Sequence, residues 1–304
     1  MMHLTSHQLT VTFGILGNIV SFVTFLAPLP TFYKIYKKKC TEGFQSIPYS
    51  VALFSCTLLL YYGFLKPTGG LMIISINSIG CVIEACYLAT FLFYAPKSSK
   101  AQTAKFLCGF NLAVYGAICL VTYLSFHDAL RVTIVGWICA IFSVLVFAAP
   151  LSVMRRVMRT KSVEFMPLAL SFSLTVCAVM WFFYGLLIKD YYIALPNVLG
   201  FTFGIVQMIL YAIYRKSSKK IQPDEAKTAA DIEMANSNNI DDQLEKPPVT
   251  PKSPEHVITV PDDQEQVVEE EIECSNNRRE RAVLAEPERM VDILHQPIPV
   301  AVCV

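Results

Sequence analysis

Seven stretches of this chain are long and apolar enough to cross a bilayer, at roughly 9–33, 48–66, 71–94, 105–126, 132–154, 167–188 and 191–214. A spanning helix needs about 20 mainly apolar residues. No water reaches the hydrocarbon, so every backbone N–H and C=O there must be bonded within the protein. The loops between the stretches are short. The expected fold is therefore an all-α membrane protein of seven transmembrane helices. Hydrophobic residues make up 54% of the chain and charged residues only 16%, which excludes an ordinary soluble domain of this size.

The net charge of +1 hides a division. Residues 1–214 hold 14 Lys/Arg and 5 Asp/Glu, a balance of +9, whereas 215–304 hold 11 and 19, a balance of −8. One set of span flanks carries 15 basic residues (Lys34, Lys37, Lys38, Lys39; Lys97, Lys100, Lys105; Arg155, Arg156, Arg159, Lys161; Arg215, Lys216, Lys219, Lys220). The opposite set has 3: Lys66, Arg131 and Lys189. Basic loops stay in the cytosol, so the N-terminus is expected outside and the C-terminus in the cytosol. The tail from 215 to 304 is Pro-rich and acidic and is read as disordered. Its Thr250-Pro251 and Ser253-Pro254 are candidate phosphorylation sites, the alternative being plain linker.

The spans contain a repeat. At an offset of 122, Ala27-Pro28-Leu29 matches Ala149-Pro150-Leu151, Glu42 matches Glu164, and Tyr62-Gly63 matches Tyr184-Gly185. Beyond a small indel the offset is 120, pairing Asn77 with Asn197 and Gly80 with Gly200. The expected organisation is 3+1+3: a first three-helix repeat at 9–94, a linker helix at 105–126, and a second repeat at 132–214. One helix between the copies gives both the same orientation. They form two parallel bundles related by an axis along the membrane normal.

Asn77 and Asn197 are the exceptions inside apolar runs, each about six residues, roughly 9 Å, below the end of its span. An amide in hydrocarbon needs partners. Leu59 and Trp181 fall at a similar level; Ser55 and Cys177 lie one turn deeper, and Thr24 and Val146 at similar depth. Two amides, two hydroxyls and an indole face suit a neutral polyhydroxylated solute, because amides pair with hydroxyls and an aromatic face covers the C–H face of a sugar ring. For each asparagine the competing role is helix–helix packing, and for Trp181 an interface aromatic. No ring of charge at this level suits an ion.

Pro28 and Pro150 lie near the cytosolic ends of the first and fifth spans and read as hinges. Pro48 and Pro167 open the second and sixth spans and read equally as hinges or helix starts. Tyr62 and Asp190 sit where they can bond across the outer mouth, unless Asp190 is a solvated loop residue. Glu84 is the lone mid-span carboxylate, more consistent with a structural group than with a proton relay. Seven of the ten cysteines lie in spans without metal-ligand spacing and read as packing residues. No catalytic constellation, metal, cofactor or nucleic-acid partner is expected.

The stretches Phe13-Gly14-Ile15-Leu16-Gly17-Asn18-Ile19-Val20-Ser21-Phe22, Thr41-Glu42-Gly43-Phe44-Gln45-Ser46-Ile47-Pro48-Tyr49 and Lys161-Ser162-Val163-Glu164-Phe165-Met166-Pro167 resemble plant SWEET sugar transporters. So do Trp181-Phe182-Phe183-Tyr184-Gly185 and Ala194-Leu195-Pro196-Asn197-Val198-Leu199-Gly200. The resemblance covers about residues 9–215. That family exemplifies parallel repeats. The resemblance implies bidirectional facilitated sugar transport by alternating access, and assembly into oligomers. It implies that Asn77 and Asn197 bind sugar, Trp181 stacks on it, Pro28, Pro48, Pro150 and Pro167 are a hinge tetrad, and Tyr62 and Asp190 an outer gate. Thr24, Ser55, Val146 and Cys177 match size-selecting positions. The likeness is greatest to the subgroup that exports sucrose at the plasma membrane, whose pattern is valine, serine, valine, serine with a tryptophan at the position of Leu59. Thr24, Cys177 and Leu59 depart from that pattern but are modest in volume. A disaccharide pocket is expected, with hexose-preferring or proton-coupled transport as the alternatives.

Overall fold

The computed structural model describes residues 5–41, 44–163, 166 and 168–215. Among them lie seven helices of membrane-crossing length: α1 (Ser6–Lys38), α2 (Ile47–Leu65), α3 (Leu71–Tyr94), α4 (Lys97–Ser125), α5 (Asp128–Thr160), α6 (Leu168–Leu187) and α7 (Tyr191–Arg215). The described residues contain no strand. A capping box starts α1: the Gln8 N–H donates to Thr5 Oγ1 and the Thr5 N–H to Gln8 Oε1.

Two helices run well past the apolar stretches read from the sequence. At 33 residues, α1 and α5 would each reach about 50 Å if straight, against a hydrocarbon core of about 30 Å. Both are broken instead. In α1 the segments Ser6–Phe25 and Leu29–Lys38 flank Pro28, which has no N–H to continue the ladder. In α5 the segments are Asp128–Val146 and Ala148–Thr160, with Pro150 in the first turn of the second. The segments beyond the breaks are amphipathic. Leu29–Lys38 buries Phe32 and Ile35, and Ala148–Thr160 buries Val153, Met154 and Val157, while lysines and arginines fill the other face. A search for unbroken hydrophobicity ends at those charges. For the same reason α4 begins at Lys97, not near 105: its first segment, Lys97–Phe106, is polar. A π-helical stretch, Leu107–Val114, follows.

Within the first half, α1 and α2 both pack on α3. Between the halves, α1 packs on α6 and α2 on α5. A two-fold operation exchanging α1 with α5 and α2 with α6 maps each of these cross-contacts onto the other. α4 lies against α2, where Asn111 Nδ2 donates to the Ser50 carbonyl at 2.8 Å and the Tyr61 and Thr122 hydroxyls meet at 3.0 Å. Close approach within the first half depends on Gly80. A Cβ there would meet Phe25 of α1 at 2.7 Å and Cys56 of α2 at 2.8 Å.

Overpacking of this kind costs about 1–3 kcal/mol. The Gly80→Ala protein is therefore expected to melt several degrees lower in detergent by size-exclusion thermostability. Gly109→Ala on α4, where nothing lies within 4 Å of the added carbon, is expected to melt like the parent.

Candidate functional site

The two asparagines are held alike. Asn77 Nδ2 donates to the Ile73 carbonyl and Asn197 Nδ2 to the Ile193 carbonyl, both at 2.8 Å, one turn back on the same helix. Each amide is thereby fixed with its oxygen free to accept. Asn77 is buried, and its Oδ1 has no hydrogen-bond partner among the described residues. Leaving such an acceptor unmade costs about 1–3 kcal/mol. Asn197 lies on the wall of a cavity with Val146, Pro150, Ala178, Gly200 and Gln207. Gln207 is nearly three turns further along α7 than Asn197, so the cavity extends toward the lysine-rich end of the molecule.

The remaining residues read from the sequence divide into two groups. Val146 and Pro150 join Asn197 at the cavity. Thr24, Ser55, Leu59, Cys177 and Trp181 are buried. Trp181 has no exposed surface; its Nε1 donates to Ser21 Oγ at 3.0 Å, and Ser21 Oγ lies 3.1 Å from Cys177 Sγ. Thr24 Oγ1 bonds the Val20 carbonyl at 2.9 Å and faces Ser173 Oγ at 3.1 Å. The indole rests on Gly17, where a Cβ would come within 3.1 Å of Trp181 Cε2. A sugar ring can stack on that face only if α1 and α6 part. Ser21 is the central residue of this network and was not singled out in the sequence. The signal was present: Ser143, at the repeat offset, is buried as well.

At the opposite end the halves are joined by hydrogen bonds. Tyr62 donates its hydroxyl proton to Asp190 Oδ2 at 2.8 Å, and the Lys66 ammonium pairs with the same oxygen. Asp190 is buried, not a solvated loop residue. Its Oδ1 accepts from the Tyr192 and Ile193 N–H groups at 3.1 and 3.3 Å, capping α7. The repeat counterpart of Tyr62 makes the mirrored bond: the Tyr184 hydroxyl donates to the Gly69 carbonyl at 2.8 Å. Each tyrosine thus reaches the loop ahead of the third helix in the other half. A carboxylate accepts in one arm and a backbone carbonyl in the other.

Pro48 occupies the first turn of α2, where a missing N–H is tolerated. Pro167, Thr250 and Ser253 lie outside the described residues. Glu84 is buried with Oε2 lacking a partner among the described residues. Its position in the second repeat is Gly204, seated against Thr175 of α6.

Known proteins share this arrangement. The family model for a sugar efflux transporter for intercellular exchange matches twice, at residues 11–99 and 133–219. The chain is 56% identical over 224 residues to the rice (Oryza sativa subsp. japonica) bidirectional sugar transporter SWEET15, covering 73% of this chain and 70% of that one. It is 58% identical over 226 residues to the bidirectional sugar transporter NEC1 of Petunia hybrida, covering 74% and 84%. Against the Arabidopsis thaliana bidirectional sugar transporter SWEET9 the identity is 56% over 228 residues, covering 75% and 88%. A solved structure of a eukaryotic SWEET transporter at 3.7 Å resolution superposes with a TM-score of 0.65 at 34% identity, over 68% of this chain and 97% of that one.

Asp190→Ala removes the acceptor of Tyr62, the partner of Lys66 and the cap of α7 together. Breaking a buried pair by deleting one partner costs about 3–5 kcal/mol, so a large fall in the detergent melting temperature is expected. Asp190→Asn, which still accepts from Tyr62, is expected to recover part of it.

Proposed function

Because this chain belongs to the SWEET family of bidirectional sugar transporters, multi-pass membrane proteins, we propose that it carries sucrose down its gradient through the plasma membrane by alternating access. The observation that carries this reading is the mirrored pair Asn77 and Asn197, each anchored one turn back with its carbonyl oxygen spare. Two spare acceptors at matched depth suit a solute with hydroxyls on both sides. The cavity beside Asn197 is about 30 Å³ in this conformation, and the small side chains Thr24, Ser55, Val146 and Cys177 leave room for a disaccharide once the helices part. Trp181 offers an aromatic wall at the level of the asparagines, with Leu59 opposite in the repeat. Tyr62 and Asp190 form the outer gate, with the N-terminus extracellular and the tail in the cytosol. The 9–94 and 132–214 bundles, joined by the 105–126 helix, rock about the prolines Pro28, Pro48, Pro150 and Pro167. Assembly with copies of itself or of relatives accords with the exposed apolar surface of α4, where Leu112, Tyr123 and Leu124 are each more than 60% exposed; lipid covers the same surface in a monomer.

In this mechanism sugar enters from the lysine-rich side while the gate bonds are made. Binding draws α1 and α6 apart, the ring seats against Trp181, and the gate bonds break as the other end closes. Binding favours the transition only to the extent that the sugar contacts the intermediate better than either end state. The reading is a uniport, with net flux following the sugar gradient. The buried Glu84 carboxyl, lacking a partner for Oε2, favours a second reading as a proton site.

Cells expressing Asn197→Ala at parental surface levels are expected to lose about five- to a hundredfold in labelled sucrose uptake, since an unpaired polar group on substrate or protein costs on the order of 1–3 kcal/mol. Undiminished uptake would remove Asn197 from the site. Unlabelled sucrose is expected to compete better than glucose or fructose, and the reverse order makes the protein a hexose carrier. Uptake is expected to be the same with and without a pH gradient, and in Glu84→Gln; a dependence on the gradient that Glu84→Gln abolishes establishes the proton-coupled reading instead.

A further inference from the structure

At the lysine-rich end each half carries the same construction. Leu29–Lys38, the segment of α1 beyond Pro28, ends in Lys39 with φ 55 and ψ 22. Ala148–Thr160, the segment of α5 beyond the break at Phe147, ends in Lys161 with φ 56 and ψ 19. Helices commonly stop on a left-handed residue, but glycine is favoured there because a Cβ is penalised. A lysine in that conformation at both repeat positions is a mild strain held by its surroundings. The surroundings are a ring in each case. Lys39 Nζ donates to the Tyr94 hydroxyl at 3.0 Å and lies 4.9 Å from that ring's centre. Lys161 Nζ donates to the Tyr214 hydroxyl at 3.1 Å, 4.8 Å from its ring centre. Tyr94 closes α3 and Tyr214 closes α7, at the repeat offset of 120.

Beneath each lysine a small apolar cluster joins the same two elements. Phe32 and Ile35 pack with Tyr87, Leu88 and Phe91 of α3. Val153 and Val157 pack with Leu210, Tyr211 and Tyr214 of α7. These contacts all stay inside one three-helix bundle, whereas the tyrosine bonds at the far end cross between bundles. The two lysine contacts also differ: Lys39 Nζ sits 4.0 Å from the centre of the Tyr36 ring as well, and the matching position in the second half is Met158.

We propose that Lys39 and Lys161 are positioning residues for transport: each fastens the half-helix beyond a break to the last turn of the third helix in its own bundle, and so favours the conformation in which the Tyr62–Asp190 bond is made. The assignment rests on the alternating-access reading above. A proline removes the hydrogen bond that would otherwise make the half-helix follow its own stem. The lysine replaces it with a tie to a different helix. Each half-helix is thereby held at its present angle, that of α5 beside the cavity below Asn197, and loss of the tie lowers the share of this conformation. Tyr36 of the first half-helix also meets the Tyr94 ring edge to face at 6.2 Å, a second contact that Met158 does not supply as a ring in the other half, so the first half is tied the more firmly.

The test uses the full-length protein in cells at matched surface levels, with labelled sucrose and labelled glucose in parallel. Half-saturating concentrations are measured for net uptake and net efflux, together with exchange against unlabelled sugar. For a carrier moving down a gradient, Vmax/KM is equal in the two directions, so a change in the balance of conformations appears as a change in the ratio of the two KM values. Lys39→Met, which loses the cation–π contact, and Tyr94→Phe, which keeps the ring but loses the hydroxyl that accepts from Lys39, are each expected to move that ratio roughly two- to fivefold. Lys161→Met is expected to move it less. Lys39→Arg, whose guanidinium donates and lies over rings, is expected to restore the parental value. A general loss of folded protein lowers both maximal rates and leaves the ratio alone. If Lys39→Met fails to reach the surface, Tyr94→Phe, which removes one hydroxyl, decides the matter. An unchanged ratio with counterflow intact overturns the tie and leaves the transport reading standing. Absence of counterflow of labelled sugar in the parent overturns both.

Discussion

Inside a bilayer a polar side chain has no water to fall back on, and that scarcity organises this molecule. A few amides, hydroxyls and carboxylates lie among long apolar runs, and each pairing sets two helices against each other. Asp190 draws Tyr62 and Lys66 across from the other half. Ser21 holds the Trp181 indole and lies against Cys177. Asn18 reaches the Met72 carbonyl and accepts from Ser75, joining α1 to α3. Dispersion fills the space between, with glycines such as Gly17 and Gly80 allowing the backbones to approach. Apolar packing alone gains little from burial against lipid that is as apolar as the side chains. Register and handedness of the contact between halves therefore rest on the polar pairs.

That division explains what could be read before any coordinates existed. The seven crossings follow from length and hydrophobicity, properties local to each stretch. The repeat follows from an offset, and the asparagines stand out because an amide in such surroundings is rare. The segments beyond Pro28 and Phe147 were cut short, because an amphipathic half-helix at an interface does not look like a crossing. The roles of Ser21 and Tyr184 are hidden in the sequence for a different reason. Their roles are defined by partners 160 and 115 residues away, and nothing local marks a serine or a tyrosine that will find such a partner. Lys39 and Lys161 served only as votes for orientation, since a flanking lysine carries the same charge whether it faces water or a ring.

The pseudo-symmetry is close in the backbone and loose in the chemistry. Asn77 matches Asn197, Tyr62 matches Tyr184, and Lys39 matches Lys161, each pair bonding in the same way. Where the halves diverge, one copy carries a functional group and the other a small or apolar residue: Asp190 against Gly70, Trp181 against Leu59, Glu84 against Gly204, Tyr36 against Met158. A duplicated scaffold keeps its hinges and anchors in register while each half acquires its own lining.

The arm from Tyr184 to Gly69 has a consequence of its own. Its acceptor is a main-chain oxygen on a residue with φ +70, where an added side chain would press on Ile188. No substitution at position 69 can remove that oxygen, and few can be made there at all. The arm from Tyr62 to Asp190 is open to tuning at both ends, by charge, by length or by the company of Lys66. The molecule therefore has one fixed fastening and one adjustable one. Drift in these fastenings among descendants of this chain can act on both ends of the Tyr62 arm, but in the other arm only on the donor, Tyr184.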